Sequence, residues 1–191
     1  MAWRDVRKVV SVFRDYLALR DNDVKVIHEL GSVILSRAED VIKGAAKSLL
    51  GCEEAVKIAA EAKLSVERAA ELFNSWLKLT FEGNYDEEHA RKVFRIGLAH
   101  TRAGVPERLM VLQMGAFARE ILSVALEEEI EPSRLIPLVK ALFWNLAIMI
   151  HSYDAAKKES LKRTTNISEA LFERLVRISA DEIYREFVNE E

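Results

Sequence analysis

Seven glycines and three prolines are spread over 191 residues. A β-rich chain of this length needs more turn formers, because each hairpin tip asks for φ > 0 or a fixed φ. A sandwich or barrel is therefore not expected. Between the breakers, apolar residues recur every three or four positions, the period of a helix with one buried face. Val24, Ile27, Leu30, Ile34, Val41 and Ile42 follow a start signal at Asp21 and Asp23, and predict a helix that Gly31 loosens and Gly51-Cys52 ends. A short segment runs on to Lys63. Ser65 precedes Ala69, Leu72, Phe73, Trp76, Leu77 and Thr80, and Gly83-Asn84 closes that helix as a pair able to take positive φ. Tyr85 to Ala103 is stopped by Gly104-Val105-Pro106. Pro106 opens the next helix, to about Glu129, since its missing N–H is no loss in a first turn. Pro132 restarts the chain. Residues 135–150 are apolar nearly all round, as in a central helix, and Ser168 to Phe187 is again amphipathic. These signals predict an all-α chain of seven to nine helices. Periodicity leaves open whether they pack as a bundle or at steeper angles.

Charge excludes some partners. The 28 Lys and Arg are interspersed with 31 Asp and Glu, so no basic face offers itself to nucleic acid. Cys52 has no second cysteine to pair with, which points to a reducing cytoplasm. Arg4, Asp5, Arg7, Lys8, Arg14 and Asp15 interrupt the apolar N-terminal residues, so a signal peptide is not expected. The longest uncharged stretch, Ala141 to Ile150, falls short of the roughly 20 residues of a membrane span. The expectation is a soluble, cytoplasmic protein.

Of the four histidines, no two share a helix face at the spacing of a zinc site. His28 and His89 read as solvated residues, and His151, closing the apolar run, as a partly buried, hydrogen-bonded one. His100 differs, with Gly97 three residues before it and Gly104 four after, on its own helix face. Glycine inside a helix costs about 0.5–1 kcal/mol relative to alanine, so something must lie close against that face. A flat group such as a porphyrin would do so; so would a closely packed neighbouring helix.

Two stretches carry a family resemblance: Phe81-Glu82-Gly83-Asn84-Tyr85-Asp86-Glu87, and Arg95-Ile96-Gly97-Leu98-Ala99-His100-Thr101-Arg102-Ala103-Gly104-Val105-Pro106. With Glu39-Asp40-Val41-Ile42 ahead of Leu49-Leu50, they resemble the sensor globins: haem domains of globin-coupled sensors, their single-domain relatives and, more distantly, protoglobins. The similarity covers roughly Leu17 to Lys158. It implies a globin-like fold with an extra N-terminal helix and an added C-terminal helix. On this reading residues 1–158 form the sensor-globin domain and 159–191 a C-terminal amphipathic helix, in a single-domain sensor globin or a piece of a longer one.

The resemblance also implies haem b, with His100 as the proximal iron ligand and its other ring N–H donated to an acceptor. Phe94, Gly97, Leu98, Val105, Leu109, Leu142, Leu146 and Met149 are the expected proximal and wall residues. Arg91, Lys92, Arg95 and Arg102 read as a solvated face from which one or two could reach propionates. Many members place a distal tyrosine on the second helix of the fold; Ala46 stands there, with Ala45 beside it. Without that hydroxyl, weak selection for O₂ is expected, with Trp76 offering an indole N–H or filling the space. The aromatic pair that often follows the family's Gly-x-Pro is replaced by Leu109-Met110. The implied function is binding of a diatomic gas (O₂, CO or NO) at a pentacoordinate or internally ligated iron, for signalling or gas binding rather than catalysis. Homodimerisation through the helices flanking Pro132 and an unknown signalling partner are further implications. The alternatives are a globin-like domain that has lost haem and holds a lipid or protein partner in the same pocket, and a haem enzyme such as a nitric oxide dioxygenase or peroxidase.

Overall fold

The computed structural model describes residues 6–189. Among them the chain forms α1 (Val6–Tyr16), α2 (Asp21–Ser36), α3 (Ala38–Leu50), α4 (Glu53–Glu61), α5 (Val66–Glu82), α6 (Glu87–Arg102), α7 (Glu107–Glu127), a 3-10 turn at Pro132–Arg134, α8 (Leu135–Thr165) and α9 (Glu169–Asn189), with no strand. The helix starts follow from side-chain oxygens taking up backbone N–H groups that a first turn leaves bare. Ser65 Oγ accepts from Arg68 N at 3.1 Å, Asp86 from His89 N at 2.9 Å, and Asp23 from Arg20 N at 2.7 Å.

Packing sorts the helices into two groups. α3 lies along α7 and also touches α5, while α6 packs on α8 and α1, the α6–α8 pair being the most extensive. α2 bridges the groups by packing on both α5 and α8, and α7 touches α8. α5 and α6, though consecutive, make little or no contact with each other. The α6–α8 approach depends on Gly97, where an added Cβ would fall 1.9 Å from Ser152 Oγ and 2.9 Å from the Met149 carbonyl oxygen. Of the two neighbours that the sequence allows for this glycine, the structure therefore has the packed helix. Phe94, Leu142 and Met149 are buried in the core.

Several expectations change. The helix begun at Asp21 breaks at Arg37, not near Gly31, and Arg37 holds the break by pairing with Asp40, Glu127 and Glu128. Gly83 is extended, and the positive φ falls on Tyr85 (57°). Tyr85 tolerates it because its ring is fully buried and its hydroxyl donates to the Thr80 carbonyl at 2.6 Å. α8 runs on to Thr165 before the chain turns at left-handed Asn166. α7 and Pro132–Thr165 are long and apolar enough to cross a membrane, unlike the shorter uncharged stretch at Ala141 to Ile150. Both carry core residues, among them Met110, Phe117 and Ile121 on one and Leu138, Trp144 and Ile148 on the other. α9 has no buried residue among those described, and Lys158 ties its first turns to α8 through Glu169 and Glu173.

Gly97→Ala should lower stability by about 1–3 kcal/mol, the usual cost of forcing a group into a packed contact. Urea denaturation would measure it, and adding Ser152→Ala should recover part of the loss by removing the nearest obstructing atom.

Candidate functional site

α6 ends one turn after His100 in a cap that its sequence specifies. Gly104 takes a φ of 75°, its N–H donates to the Thr101 carbonyl at 3.1 Å, and the Val105 N–H donates to the His100 carbonyl at 3.0 Å. This paired arrangement satisfies two of the carbonyls that a helix end leaves bare, and glycine reaches it without steric cost. The Tyr153 hydroxyl on α8 donates to the Val105 carbonyl at 3.0 Å, fixing the turn to the packed side of the molecule. Pro106 then caps α7.

Within this frame His100 is half-buried, and its Nδ1 lies 2.9 Å from the Ile96 carbonyl oxygen. A carbonyl can only accept, so Nδ1 carries the proton and Nε2 keeps its lone pair. Burial pushes the imidazole pKa below its usual value, against the opposing effect of the Ile96 carbonyl. A neutral ring with one nitrogen oriented by the backbone and the other bare is what an iron-ligating histidine requires. The donor chemistry of this chain thus fits haem.

Gly97 faces α8, and Ile96 and His100 lie on the neighbouring side of α6. Val105, Leu109 and Leu146 are half-buried, as is Phe73 on α5; Leu98 is exposed. Ala45 is fully buried and Ala46 half-buried on α3. Trp76 is buried on α5, its ring 4.8 Å from that of Phe117, and its Nε1 has no hydrogen-bond partner. Phe73 stands 5.0 Å from the same ring. Arg91 and Lys92 pair with Glu87 and Glu88 one turn back on α6. Sequence reasoning missed Ile96 as the acceptor, although the four-residue offset of a helix places its carbonyl beside His100. It gave no signal for Gln113 on α7, whose Nε2 donates to the Ala45 carbonyl at 3.2 Å.

Of the other histidines, His89 departs most from expectation. His89 is a core residue: its Nδ1 accepts from Tyr85 N at 3.2 Å, and its ring sits 4.5 Å from Tyr85 and 5.0 Å from Trp144. His151 is half-buried between Phe13 and Phe94, with Nε2 unpartnered. His28 is exposed, as expected, and lies 2.9 Å from the Gly83 carbonyl.

The chain belongs to the Protoglobin family, whose model matches residues 10–159. Among solved structures, the globin domain of a Geobacter sulfurreducens globin-coupled sensor is similar, with a TM-score of 0.69 and 23% identity over 75% of this chain and 96% of that one. At that identity the likeness is one of fold. No curated relative matches.

Burial holds the His89 pKa down to about 4 from the usual 6.5. A depressed histidine contributes stability that is complete above the unfolded value and is lost as pH falls through the folded one; a shift of this size is worth about 3 kcal/mol. Stability should therefore fall as pH drops from about 6.5 to about 4. Denaturation across that range should show a flatter profile in His89→Leu, whatever its overall loss of stability.

Proposed function

We propose that this protein is a haem-binding sensor globin that takes up a diatomic gas, O₂, CO or NO, for signalling or gas binding rather than catalysis. The observation that carries this reading is the His100 ring, protonated at Nδ1 by its bond to the Ile96 carbonyl and bare at Nε2. Membership of the Protoglobin family supports it. Haem b, when bound, supplies an iron with a position open to a gas molecule. His100 would hold the iron through Nε2, and the Ile96 carbonyl keeps the ring in the ligating tautomer. The half-buried apolar side chains of Val105, Leu109, Leu146 and Phe73 would wall the group off from water, a setting in which a neutral imidazole is favoured over its cation.

The outer faces of the two long helices support the homodimer. Leu112 and Leu126 on α7, and Ile136, Val139 and Phe143 on α8, are all exposed. Apolar surface of that extent, on the two helices that flank Pro132, favours a second copy as its cover.

Titrating the purified chain with haem should give a Soret band, whose shape in the ferrous state reports whether a second side chain ligates iron. His100→Gly should abolish or strongly shift the band, and added imidazole should restore it. A wild-type chain that stays colourless would overturn the reading in favour of a haem-free domain holding a lipid or protein. Phe143→Glu with Ile136→Glu should convert the dimer to monomer in sedimentation experiments while leaving the Soret band unchanged.

A further inference from the structure

α9 follows the left-handed turn at Asn166 and lies outside residues 10–159, the part of the chain that matches the family model. None of its described residues is buried, although large apolar side chains run along its whole length. They fall in two adjacent rows at four-residue spacing: Leu171, Leu175, Ser179, Ile183 and Phe187, and Phe172, Val176, Ala180, Tyr184 and Val188. All are exposed except Phe172, which is half-buried. Rows of that spacing are the ridges by which helices most often interlock. In both rows the middle residue is small and large residues stand on either side, so a facing helix comes closest at Ser179 and Ala180.

The charges share that centre. Arg174 and Arg177 precede it, Glu182 and Glu186 follow it, and none of the four has an ion pair among the described residues. A second α9 laid antiparallel brings the basic half of each copy to the acidic half of the other, whereas a parallel one sets like charge against like. A two-fold axis through Ser179 and Ala180 asks for this arrangement, because what lies on one side of the centre must fit what lies on the other. α9 as a whole has more acidic than basic residues, which disfavours an anionic lipid surface as its cover. We propose that α9 is a self-association surface, on which two copies of this chain pair antiparallel and cross at Ser179 and Ala180. One helix a side buries less than a standard interface, so the pair is transient. It is separate from the α7 and α8 faces assigned to the dimer above, and it does not depend on haem.

Cysteine cross-linking traps such a pair, since a disulfide forms only where the Cα atoms come within about 7 Å. In the whole chain with Cys52→Ser, mild oxidation should join Ser179→Cys to itself about tenfold faster than it joins Glu61→Cys, an exposed site on α4, because only the paired helices hold two thiols in bonding range. A mixture of Leu175→Cys and Ile183→Cys chains should link faster than either alone. Glu182→Arg with Glu186→Arg should slow the Ser179→Cys link, and adding Arg174→Glu with Arg177→Glu should restore it. All of these side chains are exposed, so the fold is not at stake. Phe143→Glu with Ile136→Glu should leave the link in place, which separates failure of the α7–α8 dimer from failure of this pair. Leu175→Cys linking to itself faster than to Ile183→Cys would overturn the antiparallel pair. A Ser179→Cys link no faster than that of Glu61→Cys would overturn the proposal, α9 being covered by its own chain or by another protein.

Discussion

The arrangement depends on how closely α6 approaches α8. At Gly97 there is no room for a side chain against Ser152 and the Met149 carbonyl, so the two helices pack backbone to side chain along their shared face. Drawn to α8, α6 is held off from α5. The same contact fixes the rotation of α6 about its axis: with Gly97 turned toward α8, Ile96 and His100 present the adjacent side. Tyr153 secures the far end from the same helix by bonding the Val105 carbonyl.

The start of α6 is held in a different way. Tyr85, His89 and Trp144 form a buried ring cluster, and Thr80, His89, Trp144 and Asn145 each bring a buried polar atom without a partner. Burying such groups without partners costs free energy, a cost that the packing of these rings has to offset. Asn145 raises the His89 pKa, but burial outweighs it and keeps the ring neutral. Fixed at both ends, α6 holds the His100 imidazole at a defined position.

The two exposed apolar surfaces differ in kind. The α7 and α8 faces belong to helices whose other sides form the core, so a dimer there would extend an existing packing layer. α9 has no such backing: Leu171, Leu175 and Ile178 are exposed on a helix joined to the rest mainly at its first turns, where Lys158 gathers Asp154, Glu169 and Glu173. Those carboxylates raise the Lys158 pKa, so the tether stays charged across the ordinary pH range.

The sequence by itself marked most of the helices and singled out His100, because these are local properties. Apolar spacing of three and four, Ser65 and Asp86 as caps, Gly104 in the left-handed region and Pro106 ahead of a first turn each act within a few residues. The motif around His100 was legible for the same reason, since cap and histidine lie within one turn. Only the tertiary structure decided that Gly97 serves a packed helix, that His89 is a core residue, that Tyr85 rather than Gly83 takes the positive φ, and that Gln113 reaches Ala45. Each depends on a side chain from a distant part of the chain, and neither period nor composition records which distant residue arrives.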